Sequence, residues 1–224
     1  LRIAESARSN GVCVAVTCGD GRGAMPDLGH DRAGRAARPD DRRHLAEAVG
    51  VGPEQLIFME QVHGGTVVAV DDSHGGAGLH RRGDAVPGAD AMVTRATSVA
   101  MVALSADCPL VGLWDAKAGA AAVAHAGWRG LAAGVLPHTV AAMVDLGADL
   151  YRVAAAVGPA IGPCCYVVGE DVVHELLAAG SMLPEHVRPH GTALHLDLIS
   201  AVKYQLRFAG LAADRIDVDP SCTR

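Results

Sequence analysis

The chain has 224 residues, half of them apolar but only 3% aromatic, and carries a formal charge of −6. That length is enough to bury a real core in one large domain or two small ones, and the acidic balance gives no reason to expect nucleic acid or an anionic membrane as partner. No apolar run reaches the roughly 18 residues of a membrane span, no basic-then-apolar leader opens the sequence, and six cysteines are too sparse for a disulfide scaffold.

A reduced, cytoplasmic protein follows as the expectation. Ala, Val, Leu and Gly supply most of the bulk, which argues for close packing of small side chains. Basic residues cluster between Arg32 and Arg43, but Asp31, Asp40 and Asp41 are interleaved, as on a solvated helix end.

In chain order, residues 11–18 (GVCVAVTC) form an apolar strand, followed by a loop rich in Gly, Asp and Arg. A helix covers residues 39–50, with Asp40 or Asp41 as cap and Gly50 as stop. Residues 55–64 (QLIFMEQVHG) and 66–72 (TVVAVDD) give two short strands. Residues 73–89 are a loop with five glycines and no obvious core position. Two strands are expected within residues 90–108 and another at 118–125 (AGAAAVAH). Residues 131–148 are helix-like, with Pro137 kinking the helix or marking its first turn. A buried strand at 152–159, a Gly/Pro-framed loop at 160–169, and helices at 170–180 and 197–211 complete the chain. There is no repeat or linker, and strands and helices alternate without a βαβ rhythm. The pattern fits one α/β domain with a mixed sheet.

Three residues suggest a metal site. His63 sits in MEQVHGG, Cys108 in SADCPLV, and His125 closes AAAVAH before a Gly turn. Each lies where an apolar strand meets a turn, the place where a rigid scaffold presents side chains to a pocket. Zn²⁺ accepts imidazole nitrogen and thiolate sulfur, and three protein ligands with one open position suit a catalytic site. The separations match no local signature such as CxxC or HExxH. Two other readings stand beside it. Cys108 can be a buried free thiol near two hydrogen-bonded histidines, or a nucleophile paired with His125.

Around these, Arg129 follows His125 by four residues at a helix start, which makes an anion site or a surface arginine. Asp107 can orient a ligand, act as acid or base, or hold a turn. Trp128 can wall the pocket. Tyr166, in GPAIGPCCYVVGED, can meet a substrate or fill the core. Cys164 and Cys165 are expected to be packing thiols, since an adjacent-Cys disulfide is strained. Cys222 carries no signal.

The ordered set QVHG, SADCPLV, HAGWRG and GPAIGPCCYVVGED resembles the YfiH/DUF152 family, over about residues 55–223. That family carries the label multicopper polyphenol oxidase (laccase), and members are described as purine nucleoside phosphorylases. The resemblance implies a cytoplasmic, single-domain α/β (α+β) layered sandwich with a mixed sheet, spanning residues 1–224. It makes His63, Cys108 and His125 the ligands of one Zn²⁺, with Cu²⁺ as the lesser alternative. It implies phosphorolysis of adenosine, inosine, guanosine and methylthioadenosine, with some adenosine deamination.

Two departures stand out. The family's TTRxGGVS is TCGDGRGAM here, and relatives continue past the equivalent of Thr223 into a tail and a last strand absent from this sequence.

In the phosphorylase reading Arg129 takes phosphate, Asp107 and Cys108 serve the chemistry, and Trp128, Arg129 and Tyr166 bind substrate. The partners are a small nucleoside and phosphate, and the protein is a monomer or homodimer. A metal- or Cys-dependent amide hydrolase editing peptidoglycan precursors uses the same residues. A non-catalytic binding protein would have a closed, structural zinc site. Laccase-like oxidation fits poorly, because coupled copper sites draw on HxH pairs and the sequence has none. The deaminase HxE…PCxxC signature is also absent.

Overall fold

The computed structural model describes Leu28, Gly29, Gly34 and residues 38–224. The strand expected over residues 11–18 lies outside the described residues.

Helix α1 (Pro39–Val49) begins at a proline, whose missing N–H is not needed in the first turn. Arg38 therefore takes the cap position. Asp40 and Asp41, expected as caps, fall inside the first turn instead, where their charge meets the positive helix end. Gly50 ends the helix as anticipated. Arg42 corrects the solvated-helix reading. It is only 1% exposed, stacks 4.3 Å over the Phe58 ring, and donates to the carbonyls of Leu28, Gly29, Gly78 and Leu79.

Strands β1 (Leu56–Phe58) and β4 (Ala100–Val102) pair in parallel as a small sheet. The central sheet has six strands. It runs β11 (Ile216–Val218), β7 (Ala154–Val157), β5 (Leu110–Asp115), β6 (Ala120–His125), β3 (Ala91–Thr94) and β2 (Val67–Ala69). The outer pairs β11–β7 and β3–β2 are parallel and the inner pairs antiparallel, so the sheet is mixed, as expected. A third sheet, antiparallel, orders β8 (Val167–Val168), β10 (Ala193–Leu196) and β9 (Val187–His190).

Period-two alternation explains the layering. On β3 and β6, Ala91, Val93, Ala122 and Ala124 face the large core shared with α3 (Val135–Asp145) and α5 (Leu198–Phe208). Met92 and Val123 point the other way, onto Ile57, Met59, Val70, Val86 and Ala89. Alanines along β6 let α3 approach closely, with Leu136, Val140 and Met143 buried against the sheet. Truncating Met143 or Leu113 to Ala in such a core costs about 2–5 kcal/mol.

Four expectations change. The helix expected over 131–148 is two helices, α2 (Trp128–Ala132) and α3, broken at Gly134 with φ 73°. Pro137 sits in the first turn of α3, one of the two places allowed for it. The loop at 73–89 does hold core positions, because Leu79, Ala85, Val86 and Ala89 are buried. Strand β5, at the middle of the sheet, occupies residues between two expected strands, where the sequence pattern predicts none. The β9–β10 hairpin was missed as well; Pro189 on β9 sits at a sheet edge, where a missing donor is tolerated. Helix α4 (Glu170–Ala178) and α5 lie where expected. No helix among the described residues is long and apolar enough to cross a membrane.

Candidate metal centre

Three stretches of chain meet at one end of the central sheet. β6 ends on His125, so its side chain leaves the sheet at the last paired residue, opposite Leu110 of β5. Cys108 stands two residues before β5, on the far side of Pro109. His63 is not at a strand end as anticipated, since β1 stops at Phe58. It stands in a turn where Gln61 and His63 take φ of 51° and 61°. Non-glycine residues pay for that backbone conformation, and it persists only where neighbours over-determine it.

The neighbours are identifiable. The Gln61 side chain locks the turn to the end of β4, donating to Leu104 O at 2.7 Å and accepting from Leu104 N at 2.8 Å. Asp90, fully buried just ahead of β3, accepts the amides of Val62 (3.1 Å), His63 (2.9 Å) and Gly64 (2.6 Å). The same carboxylate takes the His125 ring, with Nδ1 at 3.0 Å from Oδ1. Asp90 was missed in the sequence. An Asp ahead of an apolar strand looks like a turn residue until its burial is seen.

The outcome is a compact donor set. One ligand atom each from His63, Cys108 and His125 lies within 4.8 Å of the others. The two imidazoles meet edge-on, centroids 4.7 Å apart. Gly127 makes the approach possible, because a Cβ there would lie 2.8 Å from Cys108 Sγ and 3.5 Å from His63 Cδ2. His125 is buried, Cys108 half-buried and His63 exposed, so the set opens to solvent on one side. With Nδ1 held by Asp90, His125 presents Nε2, the carboxylate–histidine arrangement that orients metal ligands. Two imidazoles and a thiol, with a buried carboxylate orienting one imidazole and one side open, fit Zn²⁺.

Electrostatics disfavour an activated thiol in the metal-free protein. Burial pushes the Cys108 thiol up, with the Asp107 and Asp90 charges adding to it against a hydrogen bond from Ser105. Burial also pulls His125 below the usual imidazole range despite its bond to Asp90, so it offers no cation to stabilise a thiolate.

The other residues singled out surround this set. Arg129 is exposed and stacks 4.3 Å over the Trp128 ring. Its guanidinium has no carboxylate partner among the described residues. The helix it opens is a single five-residue turn. Trp128 and Tyr166 are half-buried against the main core. Burial pushes the Tyr166 phenol up, Cys108 adds to this, Arg129 opposes it and Asp107 adds again, so the four side chains share one neighbourhood. Asp107 is tied to the end of the chain, accepting from Thr223 Oγ1 at 2.8 Å and pairing with Arg224 at 2.7 Å. Those contacts hold its carboxyl below the usual range. Nearby in sequence, Glu60 accepts the Gly88 amide at 3.1 Å. Cys164 and Cys165 are exposed, not packed in the core as expected.

Comparison with known proteins bears on this geometry. A family model described as multi-copper polyphenol oxidoreductase laccase matches residues 28–224. The chain belongs to this family. It is the YfiH/DUF152 family of the sequence resemblance. The purine nucleoside phosphorylase SCO2081 of Streptomyces coelicolor is 40% identical over 184 residues, 82% of this chain and 72% of that protein. A protein named adenosine deaminase RL5, from an unknown prokaryotic organism, is 34% identical over 187 residues, 83% of this chain and 71% of its own. The crystal structure of YlmD from Geobacillus stearothermophilus has a TM-score of 0.82 at 34% identity, covering 89% of this chain and 76% of that one. The likeness to YlmD extends over the mixed α/β fold expected from sequence.

Proposed function

We propose that this chain is a purine nucleoside phosphorylase acting on adenosine, inosine, guanosine and methylthioadenosine, with His63, Cys108 and His125 holding one Zn²⁺. The observation that carries this is Arg129, a cation without a carboxylate partner among the described residues, acting with Cys108 on the same Tyr166 phenol next to a solvent-open His–Cys–His set. Relatives named phosphorylases support the reaction class.

In phosphorolysis a phosphate oxygen bonds to the ribose C1′, the C1′–N9 bond breaks, and the purine leaves with a proton. Arg129 is placed to take the phosphate, its guanidinium already flattened on Trp128. Trp128 and Tyr166 offer aromatic faces to the nucleoside. Tyr166 keeps its proton at neutral pH, since burial pushes its phenol up, and so can donate a hydrogen bond to the leaving purine. Asp107 stays ionised, and a fixed negative charge stabilises the positive charge that develops on the ribosyl group. Asp90 positions and does not react, because its oxygens are taken by three amides and the His125 ring. Bound zinc would supply a fixed positive charge that polarises an oxygen of phosphate or substrate.

Adenosine deamination is the second reading, favoured by the relative that bears that name. The test is product analysis after incubating the zinc-loaded protein with adenosine, with and without phosphate. Adenine and ribose 1-phosphate formed only with phosphate support phosphorolysis. Inosine formed regardless of phosphate supports deamination. Neither product from any of the four nucleosides overturns the proposal.

A further inference from the structure

The Gly-Pro-Cys-Cys-Tyr stretch at residues 162–166 plays no part in the first site except through Tyr166. The chain returns beside it much later. Ala160 bridges Cys222, and the Thr223 amide donates to Ala160 O at 3.2 Å. This pairing brings Cys222 Sγ to 3.5 Å from Cys164 Sγ, across 58 residues of sequence. Cys165 Sγ lies 3.4 Å from Cys164 Sγ, and all three sulfurs fall within 4.8 Å of one another.

The surroundings fit a sulfur cage. Gly162 gives the thiols room, since a Cβ there would sit 3.3 Å from Cys164 Sγ and 3.5 Å from Cys222 Sγ. The Gly162 and Arg224 amides donate to Cys222 Sγ at 3.2 and 3.4 Å. Backbone donors aimed at sulfur favour the thiolate, since a neutral thiol is a weak acceptor. Cys164 and Cys165 are exposed, so an ion can enter from solvent. We propose that Cys164, Cys165 and Cys222 form a second, all-sulfur binding site for a thiophilic d¹⁰ cation, Cu(I) or Zn(II).

The dimensions agree. With metal–sulfur bonds of about 2.3 Å, three sulfurs around one ion stand about 4 Å apart, close to the 3.4 and 3.5 Å of two pairs here and within the 4.8 Å that bounds all three. Thiolates select Cu(I) and Zn(II) over harder ions. No fourth His, Cys, Asp or Glu joins the group among the described residues, which suits three-coordinate Cu(I) directly and Zn(II) with a solvent ligand. The site adjoins the first one through the chain end. Cys222 precedes Thr223 and Arg224, the two residues that hold Asp107 beside Cys108. An ion on the three sulfurs would fix that segment in place.

The test is competition for Cu(I) and, separately, Zn(II) against a chromophoric chelator, using the full chain, reduced and free of oxygen. Wild type is expected to hold two equivalents, one per donor group. His63→Ala should keep one, with thiolate-to-metal charge-transfer absorption. Adding Cys222→Ser to His63→Ala should remove it. Cys165→Ser in the same background serves as the second variant, and thermal unfolding establishes that each variant is folded. Failure of folded His63→Ala to retain an ion, or retention that survives both serine variants, overturns the proposal. So does a Cys164–Cys222 disulfide that persists in the reduced preparation and leaves no metal bound.

Discussion

Asp90 holds His125 through a 3.0 Å contact to Nδ1, and the same carboxylate gathers three consecutive amides of the turn that carries His63. One buried charge therefore positions two of the three candidate ligands. Replacing it with Asn keeps the shape but loses the charge and turns an amide N–H₂ toward backbone donors. Asp90→Asn is expected to fold and to bind zinc about 10–100-fold more weakly, measured by chelator competition. An unchanged affinity would show that the donor set is held by other means.

Gly127→Ala separates backbone from site. Gly127 has φ −62° and ψ 165°, a conformation open to alanine. The added methyl would nevertheless stand 2.8 Å from Cys108 Sγ, so the thiol or the turn must shift. The expected result is a folded protein that no longer loads one zinc at the His–Cys–His set. Metal analysis after dialysis checks this, and full loading contradicts it.

Arg129→Ala tests the anion role. The side chain is exposed, so its loss should leave the unfolding midpoint almost unchanged. A charge-assisted bond to phosphate is worth about 1.5–3 kcal/mol, so the KM for phosphate should rise by about tenfold or more. A variant that loses kcat at saturating phosphate, with KM unmoved, would place Arg129 elsewhere in the reaction.

Asp115 sets an acid limit on stability far from this site. Burial pushes its carboxyl up, but the Asp149, Ala118 and Lys117 amides and the Arg152 guanidinium outweigh that and bring it down to about 2. A depressed carboxyl adds stability that is complete above the unfolded value of 3.8 and vanishes as pH falls toward 2. The contribution is about 2 kcal/mol at neutral pH. Asp115→Asn should therefore lower the unfolding free energy at pH 7 and flatten its fall between pH 4 and pH 2. Parallel pH profiles for wild type and variant would contradict the assignment.

The parts legible in sequence were those with a local signature. His125 closes an apolar run, Cys108 sits against a proline, and His63 precedes two glycines, so each stands out in the sequence, although the strand end expected at His63 is a turn. Asp90 and Arg42 could not, because burial gives them their roles and burial is set by segments distant in the chain. Asp90 serves a turn 26–28 residues upstream and a ring 35 residues downstream. Arg42 reaches carbonyls up to 37 residues away. The core positions of residues 73–89 escaped notice for a related reason. Leu79, Ala85, Val86 and Ala89 are buried in irregular backbone, which has no period to reveal them. Cys222 became meaningful only when a bridge to Ala160 set it against Cys164.

Base release by zinc-loaded wild type and His63→Ala under saturating phosphate tests most directly whether this one donor set serves one reaction. Wild type is expected to release free purine and ribose 1-phosphate. His63→Ala should give no product while remaining folded without zinc at the His–Cys–His set. Equal base release by a folded His63→Ala without zinc at the His–Cys–His set would separate the chemistry from these residues.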